Sequence, residues 1–136
     1  MTMKRITVLL AEDHEIVREG FRSLLKPEQD IEVVAEAATG RQAVQLTRKL
    51  RPAVVVMDIA MPLLNGVEAT RQILEAIPSA RIVILSAYGD EEYIDKLIGL
   101  GAAGYLVKHT SALALSKAIR DASAGKTFFG PAISKR

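Results

Sequence analysis

The fold is decided by the stretch AVVVMD, which occupies residues 53–58. Its first five residues, Ala53–Met57, are apolar and match the length of a β-strand, and the carboxylate of Asp58 follows at once. A strand that is apolar throughout, rather than alternating, is buried on both faces, which is typical of a parallel sheet covered by helices. We therefore predict a buried parallel strand at Ala53–Met57 that ends beside Asp58.

Four further apolar runs of strand length lie on either side of this strand. They predict strands at Ile6–Ala11, Ile31–Ala37, Arg81–Ala87 and Gly104–Val107. Between and after these runs, apolar residues recur at helical spacing in five stripes. The stripes are Val17, Phe21, Leu24 and Leu25; Val44, Thr47 and Leu50; Thr70, Ile73, Leu74 and Ile77; Ile94, Leu97, Ile98 and Gly101; and Leu115, Ala118, Ile119 and Ala122. This alternation predicts an α/β domain with a doubly wound, five-stranded parallel sheet and five helices.

Composition limits the class of protein to which this chain of 136 residues belongs. It contains no cysteine, which excludes disulfide scaffolds, cysteine zinc sites and thiol nucleophiles. The apolar runs are too short to cross a bilayer and the start lacks a signal-peptide pattern, so we expect a cytoplasmic protein without a membrane partner. We expect one domain at residues 1–125, followed by a tail or the start of a linker at residues 126–136.

Polar side chains stand at the predicted carboxyl ends of four strands. They are Glu12, Asp13, Asp58, Ser86 and Lys108. Ligands bind at the carboxyl ends of strands in an open parallel sheet, so we expect these groups to converge at one edge. Three neighbouring carboxylates repel one another unless a cation joins them, and oxygen ligands favour Mg²⁺ or Mn²⁺.

This combination of groups predicts chemistry at phosphorus. A carboxylate can attack phosphorus to give an aspartyl phosphate, and Asp58 is the best nucleophile because a rigid apolar strand holds it. Glu12 and Asp13 would bind the metal. Ser86 and Lys108 would bind the oxygens of the phosphoryl group and neutralise their charge.

Several short motifs carry a family resemblance. They are the Glu12-Asp13 pair, MDIAMPLLNG at 57–66, LSA at 85–87 and GYLVK at 104–108. In this order they resemble the receiver domain of response regulators. EDHEIVREGF at 12–21, and His109 in place of the usual proline after Lys108, resemble the NarL/FixJ (LuxR-like) subfamily. The resemblance extends to about residue 125 and implies a flavodoxin-like fold with strand order 2-1-3-4-5.

The resemblance also implies a mechanism and partners. Asp58 would accept phosphate from a sensor histidine kinase, and Ser86 and Tyr105 would form a two-position switch. The metal shell would consist of Glu12, Asp13, Asp58 and the backbone carbonyl of Ala60. The phosphorylated domain would change its interaction surface and form a homodimer, and DNA would be contacted only through a C-terminal helix-turn-helix domain absent from residues 1–136.

Three functions are alternatives to a switch that controls transcription. A stand-alone receiver that acts through protein partners fits the same residues. A phosphatase of the haloacid-dehalogenase type requires a second aspartate two residues after the nucleophile, where this chain has Ala60. A nucleotide-binding module requires a loop that cradles phosphate after the first strand, where AEDHE at 11–15 would repel phosphate. We therefore expect no enzyme activity beyond self-catalysed phosphoacceptance and slow autodephosphorylation.

Two expectations concern loops next to the candidate site. Because His109 is not a proline, we predict a trans peptide bond between Lys108 and His109, with Thr110 or Ser111 capping the helix that follows. Tyr88, two residues after Ser86, would control access to the phosphoryl group.

Overall fold

The strands predicted from the apolar runs are present in the computed structural model, which describes residues 5–62, 64–87, 90–108 and 111–129. The strands are β1 (Ile6–Ala11), β2 (Ile31–Ala37), β3 (Val54–Asp58), β4 (Ile82–Ser86), β5 (Gly104–Val107) and β6 (Phe128–Phe129). The helices are α1 (Glu15–Leu25), α2 (Gly40–Leu50), α3 (Gly66–Ala76), α4 (Ile94–Leu100) and α5 (Ala112–Ser123). A 3₁₀ turn at Asp90–Tyr93 precedes α4.

The strands form one parallel sheet in the order β2-β1-β3-β4-β5-β6. The predicted order 2-1-3-4-5 is confirmed, and with it the doubly wound fold. β6 is an addition that the five-stranded prediction omitted, because two residues carry no periodic signal. Tertiary contacts hold this strand: Phe128 donates its N–H to the carbonyl of Ala103 at 2.9 Å, and Arg81 donates to the carbonyl of Lys126 at 2.7 Å. The segment predicted as tail or linker therefore begins with residues that belong to the sheet.

The sheet separates two apolar clusters, as expected for strands buried on both faces. Every residue of β3 and β4 is buried. Met57, Ile73, Ile84, Leu97 and Tyr105 belong to the cluster on one face. Leu10, Phe21, Leu85, Leu115 and Ile119 belong to the cluster on the other face. Helices α2, α3 and α4 cover the first cluster, while α1 and α5 cover the second.

Three predicted members of the helical stripes do not pack into the core, and one of them, Gly101, follows the last residue of α4. Leu50 is 43% exposed and Ile98 is 40% exposed. Leu50 is the last residue of α2 and Ile98 lies in the short helix α4, so the sheet covers neither position fully. Among the described residues the longest helix has 12 residues, whereas a membrane span needs about 20. No helix in the described ranges is long and apolar enough to cross a membrane.

Side-chain caps fix the starts of three helices. The side-chain oxygens of Thr39, Asn65 and Ser111 accept hydrogen bonds from backbone N–H groups in the first turns of α2, α3 and α5. The predicted capping of α5 by Ser111 is therefore confirmed. His14 occupies the corresponding position of α1 but forms no such bond.

The start of α3 lies directly against the end of β3. Gly66 donates its N–H to the carbonyl of Ile59 at 2.7 Å. A Cβ atom at Gly66 would lie 2.0 Å from the carbonyl oxygen of Asp58. Only a residue without a side chain fits this approach, so glycine sets the position of the loop that follows Asp58.

Candidate functional site

Three of the predicted site residues meet at the carboxyl edge of the sheet. Asp58 is the last residue of β3, Glu12 follows β1, and Lys108 follows β5. Lys108 Nζ lies 3.1 Å from Asp58 Oδ2 and 3.1 Å from Glu12 Oε2. The expected convergence is therefore observed for two carboxylates and one ammonium group.

Backbone pairing places Lys108 in this position. Its N–H donates to the carbonyl of Ser86 at 2.8 Å, which continues the pairing of β4 with β5 by one residue. The Lys108 side chain is 21% exposed, and its ammonium lies between the carboxylates of Glu12 and Asp58. The sheet, rather than a flexible loop, thus aims this charge at Asp58.

Burial controls the ionisation of the carboxylates. Asp58 has no exposed surface, and burial, together with the neighbouring Glu12 carboxylate, raises its pKa from 3.8 to about 7 against the opposing effect of Lys108. Burial also acts to raise the pKa of Glu12, but hydrogen bonds with Asp58, His14 and Lys108 outweigh it and lower that pKa. Burial acts to lower the pKa of Lys108, and its contacts with Asp58 and Glu12 raise it instead. As the pH rises, the pair therefore places a negative charge on Glu12 before it places one on Asp58.

The raised pKa of Asp58 makes stability depend on pH. A group whose pKa is higher in the folded state stabilises the fold at low pH, and the contribution is lost as pH rises through that pKa. We expect the wild-type free energy of unfolding to fall by about 2 kcal/mol between pH 5 and pH 8, and Asp58→Asn to lack this fall. Urea unfolding at a series of pH values measures it. Parallel pH curves for the two proteins would contradict the prediction.

The loop after β3 contacts Asp58 through a backbone amide. The N–H of Ala60 donates to Asp58 Oδ1 at 3.3 Å. The sequence analysis did not predict this contact. The family resemblance implied a role only for the carbonyl oxygen of Ala60. The two roles use different atoms of one residue, and the role of the carbonyl stays a prediction.

Glu12, Asp13 and His14 form a group of potential metal ligands. One ligand atom from each residue lies within 4.8 Å of those of the other two. The His14 ring is exposed, but its Nδ1 lies 3.1 Å from Glu12 Oε1 and 3.2 Å from Asp13 Oδ1. The chain thus places an imidazole beside the two carboxylates that were predicted to bind a metal.

Unsatisfied buried oxygens support a cation at this edge. In the described residues, three buried carboxylate oxygens accept no hydrogen bond: Glu12 Oε2, Asp13 Oδ1 and Asp58 Oδ2. Two of them have Lys108 within ion-pair distance, which offsets only part of their charge. A buried oxygen without a donor is costly, and a hard divalent ion bound at this edge would supply a partner for such oxygens. The residues present fit such an ion.

Ser86 and Tyr105 are both buried, at 3% and 2% exposure. The Ser86 hydroxyl donates to the carbonyl of Leu106 at 3.4 Å rather than to Asp58. Tyr105 packs within the apolar cluster that also contains Met57 and Ile84. The structure therefore places Ser86 at the carboxyl edge of the sheet, as predicted, with its hydroxyl directed toward β5.

Besides the contact from Ala60, sequence reasoning missed a contact between α1 and the backbone of the site. Arg18 donates to the backbone carbonyl of Glu12 at 2.7 Å, and no sequence signal marks this pair because the contact depends on how α1 packs. Tyr88 and His109 lie outside the described residues. The gating role of Tyr88 and the trans bond at Lys108–His109 therefore stay predictions.

Comparison with known proteins gives consistent matches. The family model described as "Response regulator receiver domain" matches residues 8–120. The transcriptional regulatory protein DegU of Brevibacillus brevis is 38% identical over 130 residues, which cover 96% of this chain and 55% of DegU. The chain spans 55% to 61% of the length of several such curated relatives.

Solved structures agree with this result. A two-component response regulator of the LuxR family from Aurantimonas sp. SI85-9A1 superposes with a TM-score of 0.91 at 36% identity, covering 97% of this chain and 94% of that chain. The isolated REC domain of RcsB from Salmonella enterica serovar Typhimurium, in the presence of phosphomimetic BeF3-, gives a TM-score of 0.87 at 25% identity, covering 97% and 98%.

Proposed function

Because this chain belongs to the response regulator receiver domain family and is of the NarL/FixJ type, we propose that Asp58 accepts a phosphoryl group from a sensor histidine kinase and that the domain acts as a phosphorylation-dependent switch. The observation that carries the proposal is the buried Asp58 carboxylate with Lys108 Nζ 3.1 Å from its Oδ2. The test is incubation with acetyl phosphate and Mg²⁺, followed by intact mass measurement. We expect the mass of one phosphoryl group to be added and then removed by hydroxylamine.

The residues present support each part of this reaction. An oxygen of ionised Asp58 forms a bond to phosphorus as the phosphorus–nitrogen bond of the kinase phosphohistidine breaks. The released imidazole nitrogen keeps the electron pair and takes up a proton. Lys108 donates to the charged phosphoryl oxygens, and the Ser86 hydroxyl turns from Leu106 to donate to another.

Receiver domains generally bind Mg²⁺ at an acidic pocket, and we propose that this chain binds Mg²⁺ or Mn²⁺ there. Glu12, Asp13, Asp58 and the carbonyl of Ala60 would hold the ion, and the unsatisfied buried oxygens of the three carboxylates support this set. The ion would neutralise the repulsion between the carboxylates and the incoming phosphoryl group. Its binding also favours ionised Asp58, which the reaction requires.

We expect Asp13→Ala to weaken Mg²⁺ binding at least tenfold, and more than Glu12→Ala does, because Asp13 would be the direct ligand. Isothermal titration with MgCl₂ at constant ionic strength measures both constants. Asp121→Ala is the control, because it removes a half-buried carboxylate that pairs with Lys117 within α5. An Asp13→Ala protein with wild-type affinity would refute the ligand role.

The proposed switch links Ser86 to Tyr105. If Ser86 turns toward a phosphoryl oxygen, it vacates space into which the Tyr105 ring can rotate, and the surface formed by α4, β5 and α5 changes. We expect Ser86→Ala to be phosphorylated but to dimerise at least fivefold more weakly, as measured by analytical ultracentrifugation. Ser116→Ala is the matched control, because Ser116 is also buried but donates to Leu113 within α5. Normal phosphorylation-dependent dimerisation of Ser86→Ala would remove Ser86 from the relay.

The output is proposed from the relatives. DegU is a transcriptional regulatory protein, and this chain spans 55% of it. We propose a cytoplasmic receiver domain that extends the predicted residues 1–125 to include β6, with a linker after it. We also propose DNA contact through a helix-turn-helix domain, and dimerisation on phosphorylation. Response regulators of this family are signalling proteins, and we propose slow autodephosphorylation as the only further reaction. A stand-alone receiver that acts on protein partners is the alternative.

A further inference from the structure

The turn that carries Glu12 and Asp13 lacks the capping bond found at other helix starts. α1 begins at Glu15, and the side chain of His14 makes no hydrogen bond to the backbone of the first turn. Its ring instead contacts the carboxylates of Glu12 and Asp13. Helices α2, α3 and α5 each begin with a capping oxygen. Like α4, α1 thus begins without a side-chain cap, so the contacts that hold the turn after β1 come from elsewhere in the fold.

Arg18, in the second turn of α1, provides that contact. Its Nη1 donates to the carbonyl oxygen of Glu12 at 2.7 Å, and its Nε donates to Glu36 Oε1 at 2.8 Å. Arg22, one helical turn further on, donates to Glu36 Oε2 at 2.8 Å. Both arginines thus share one carboxylate on β2, but of the two only Arg18 also contacts the backbone of the site within the described residues.

The carbonyl that Arg18 binds belongs to the peptide group that joins Glu12 to Asp13. The other side of Glu12 is fixed by its N–H, which donates to the carbonyl of Ala37 at 2.9 Å. With both backbone groups held, the Glu12 side chain enters the buried site in one direction and Asp13 leaves the turn in one direction. Arg18 is only 17% exposed, so its two hydrogen bonds are largely protected from water.

We propose that Arg18 is a positioning residue for the metal site. It holds the Glu12–Asp13 peptide group so that both carboxylates point at the ion, and Glu36 orients the guanidinium. The planar guanidinium suits this task because it presents donors in two directions at once, whereas an ammonium group has no fixed fork. This role rests on the proposed function, which supplies the metal.

Electrostatics and positioning predict opposite signs when Arg18 is removed. Loss of a cation near the carboxylates would strengthen the binding of another cation. Loss of a positioning contact would weaken it, as the removal of residues that orient metal ligands generally does. The sign of the change therefore separates a role in geometry from a role in charge.

The experiment compares Mg²⁺ binding by Arg18→Ala and Arg22→Ala in isothermal titration at constant ionic strength. We expect about a tenfold higher Kd for Arg18→Ala and a change below about twofold for Arg22→Ala, although each loses one arginine from Glu36. Arg18→Lys, which keeps the charge, should recover part of the affinity and guards against misfolding of the alanine variant. In phosphorylation by acetyl phosphate, Arg18→Ala should need a correspondingly higher Mg²⁺ concentration to reach its half-maximal rate, whereas Arg22→Ala should not.

Two results would overturn the role of Arg18: an unchanged or lower Kd for Arg18→Ala, or equal increases for Arg18→Ala and Arg22→Ala. Wild-type protein that bound no Mg²⁺ would overturn the proposed metal site and this role with it. Failure of wild-type protein to be phosphorylated while it binds Mg²⁺ normally would count against the proposed function alone. Urea unfolding of each variant establishes that it is folded during titration.

Discussion

Asp58→Asn is expected to form no acyl phosphate with acetyl phosphate and Mg²⁺. The amide is a poor nucleophile toward phosphorus and carries no negative charge, so the variant lacks the group that attacks phosphorus. The amide is close in size to the carboxyl group, so it fits the fully buried position at the end of β3, where Asp58 Oδ1 accepts the N–H of Ala60. The effect on labelling should exceed a hundredfold, on the order of 3 kcal/mol in activation free energy.

Intact mass and hydroxylamine sensitivity measure the labelling, and urea unfolding verifies the fold. Asp121→Asn is the control, since it makes the same chemical change at a carboxylate that pairs with Lys117 within α5, and it should be labelled like the wild type. If Asp58→Asn were labelled to the wild-type extent at the same rate, another residue would be the acceptor. That outcome would falsify the proposed function at its central residue.

Gly66→Ala is expected to destabilise the protein by about 3 kcal/mol or more. The added Cβ would lie 2.0 Å from the carbonyl oxygen of Asp58 and 2.8 Å from Ile59 Cα, and both are backbone atoms. A flexible side chain could move away, but here the start of α3 or the end of β3 must shift. Because that backbone carries Asp58, phosphorylation should be impaired as well.

Urea unfolding at pH 7, followed by circular dichroism, measures the change. Gly20→Ala is the matched control, because Gly20 lies within α1 and a Cβ there would meet no atom within 4 Å. Alanine favours a helix over glycine, so this variant should be stabilised by about 0.5–1 kcal/mol. Gly66→Ala with a stability within about 0.5 kcal/mol of the wild type would show that the backbone adapts without strain.

The sheet could be predicted because its signal is local. Each of the five predicted strands is found, with ends that agree to within one residue: β3 begins at Val54 rather than Ala53, and β4 spans Ile82–Ser86 rather than Arg81–Ala87. β6 could not be predicted, because its pairing depends on the position of the β5 edge and on the contact between Arg81 and the carbonyl of Lys126. Exposure of Leu50 and Ile98 likewise depends on where each helix ends over the sheet.

The site was predictable to the extent that strand ends determine it. Knowing that parallel strands end at one edge was sufficient to bring Glu12, Asp58 and Lys108 together. The direction of a hydroxyl was not predictable, since the bond from Ser86 to Leu106 depends on the detailed pairing of β4 with β5. The contact of Arg18 with Glu12 could not be predicted either, because it depends on how α1 packs against β2.

The small strand β6 also bears on how the protein behaves at high concentration. The outer strand of a sheet presents unpaired N–H and C=O groups, which act as a template for strands of other molecules and so promote aggregation. β6 covers part of that template on β5, where Gly104 and Tyr105 pair with Phe128 and Phe129. In the described sheet the longer open edge is β2, which carries the charged side chains of Glu32 and Glu36, and charge discourages strand addition. Removal of β6 would therefore leave the less protected of the two edges open to self-association in the test tube.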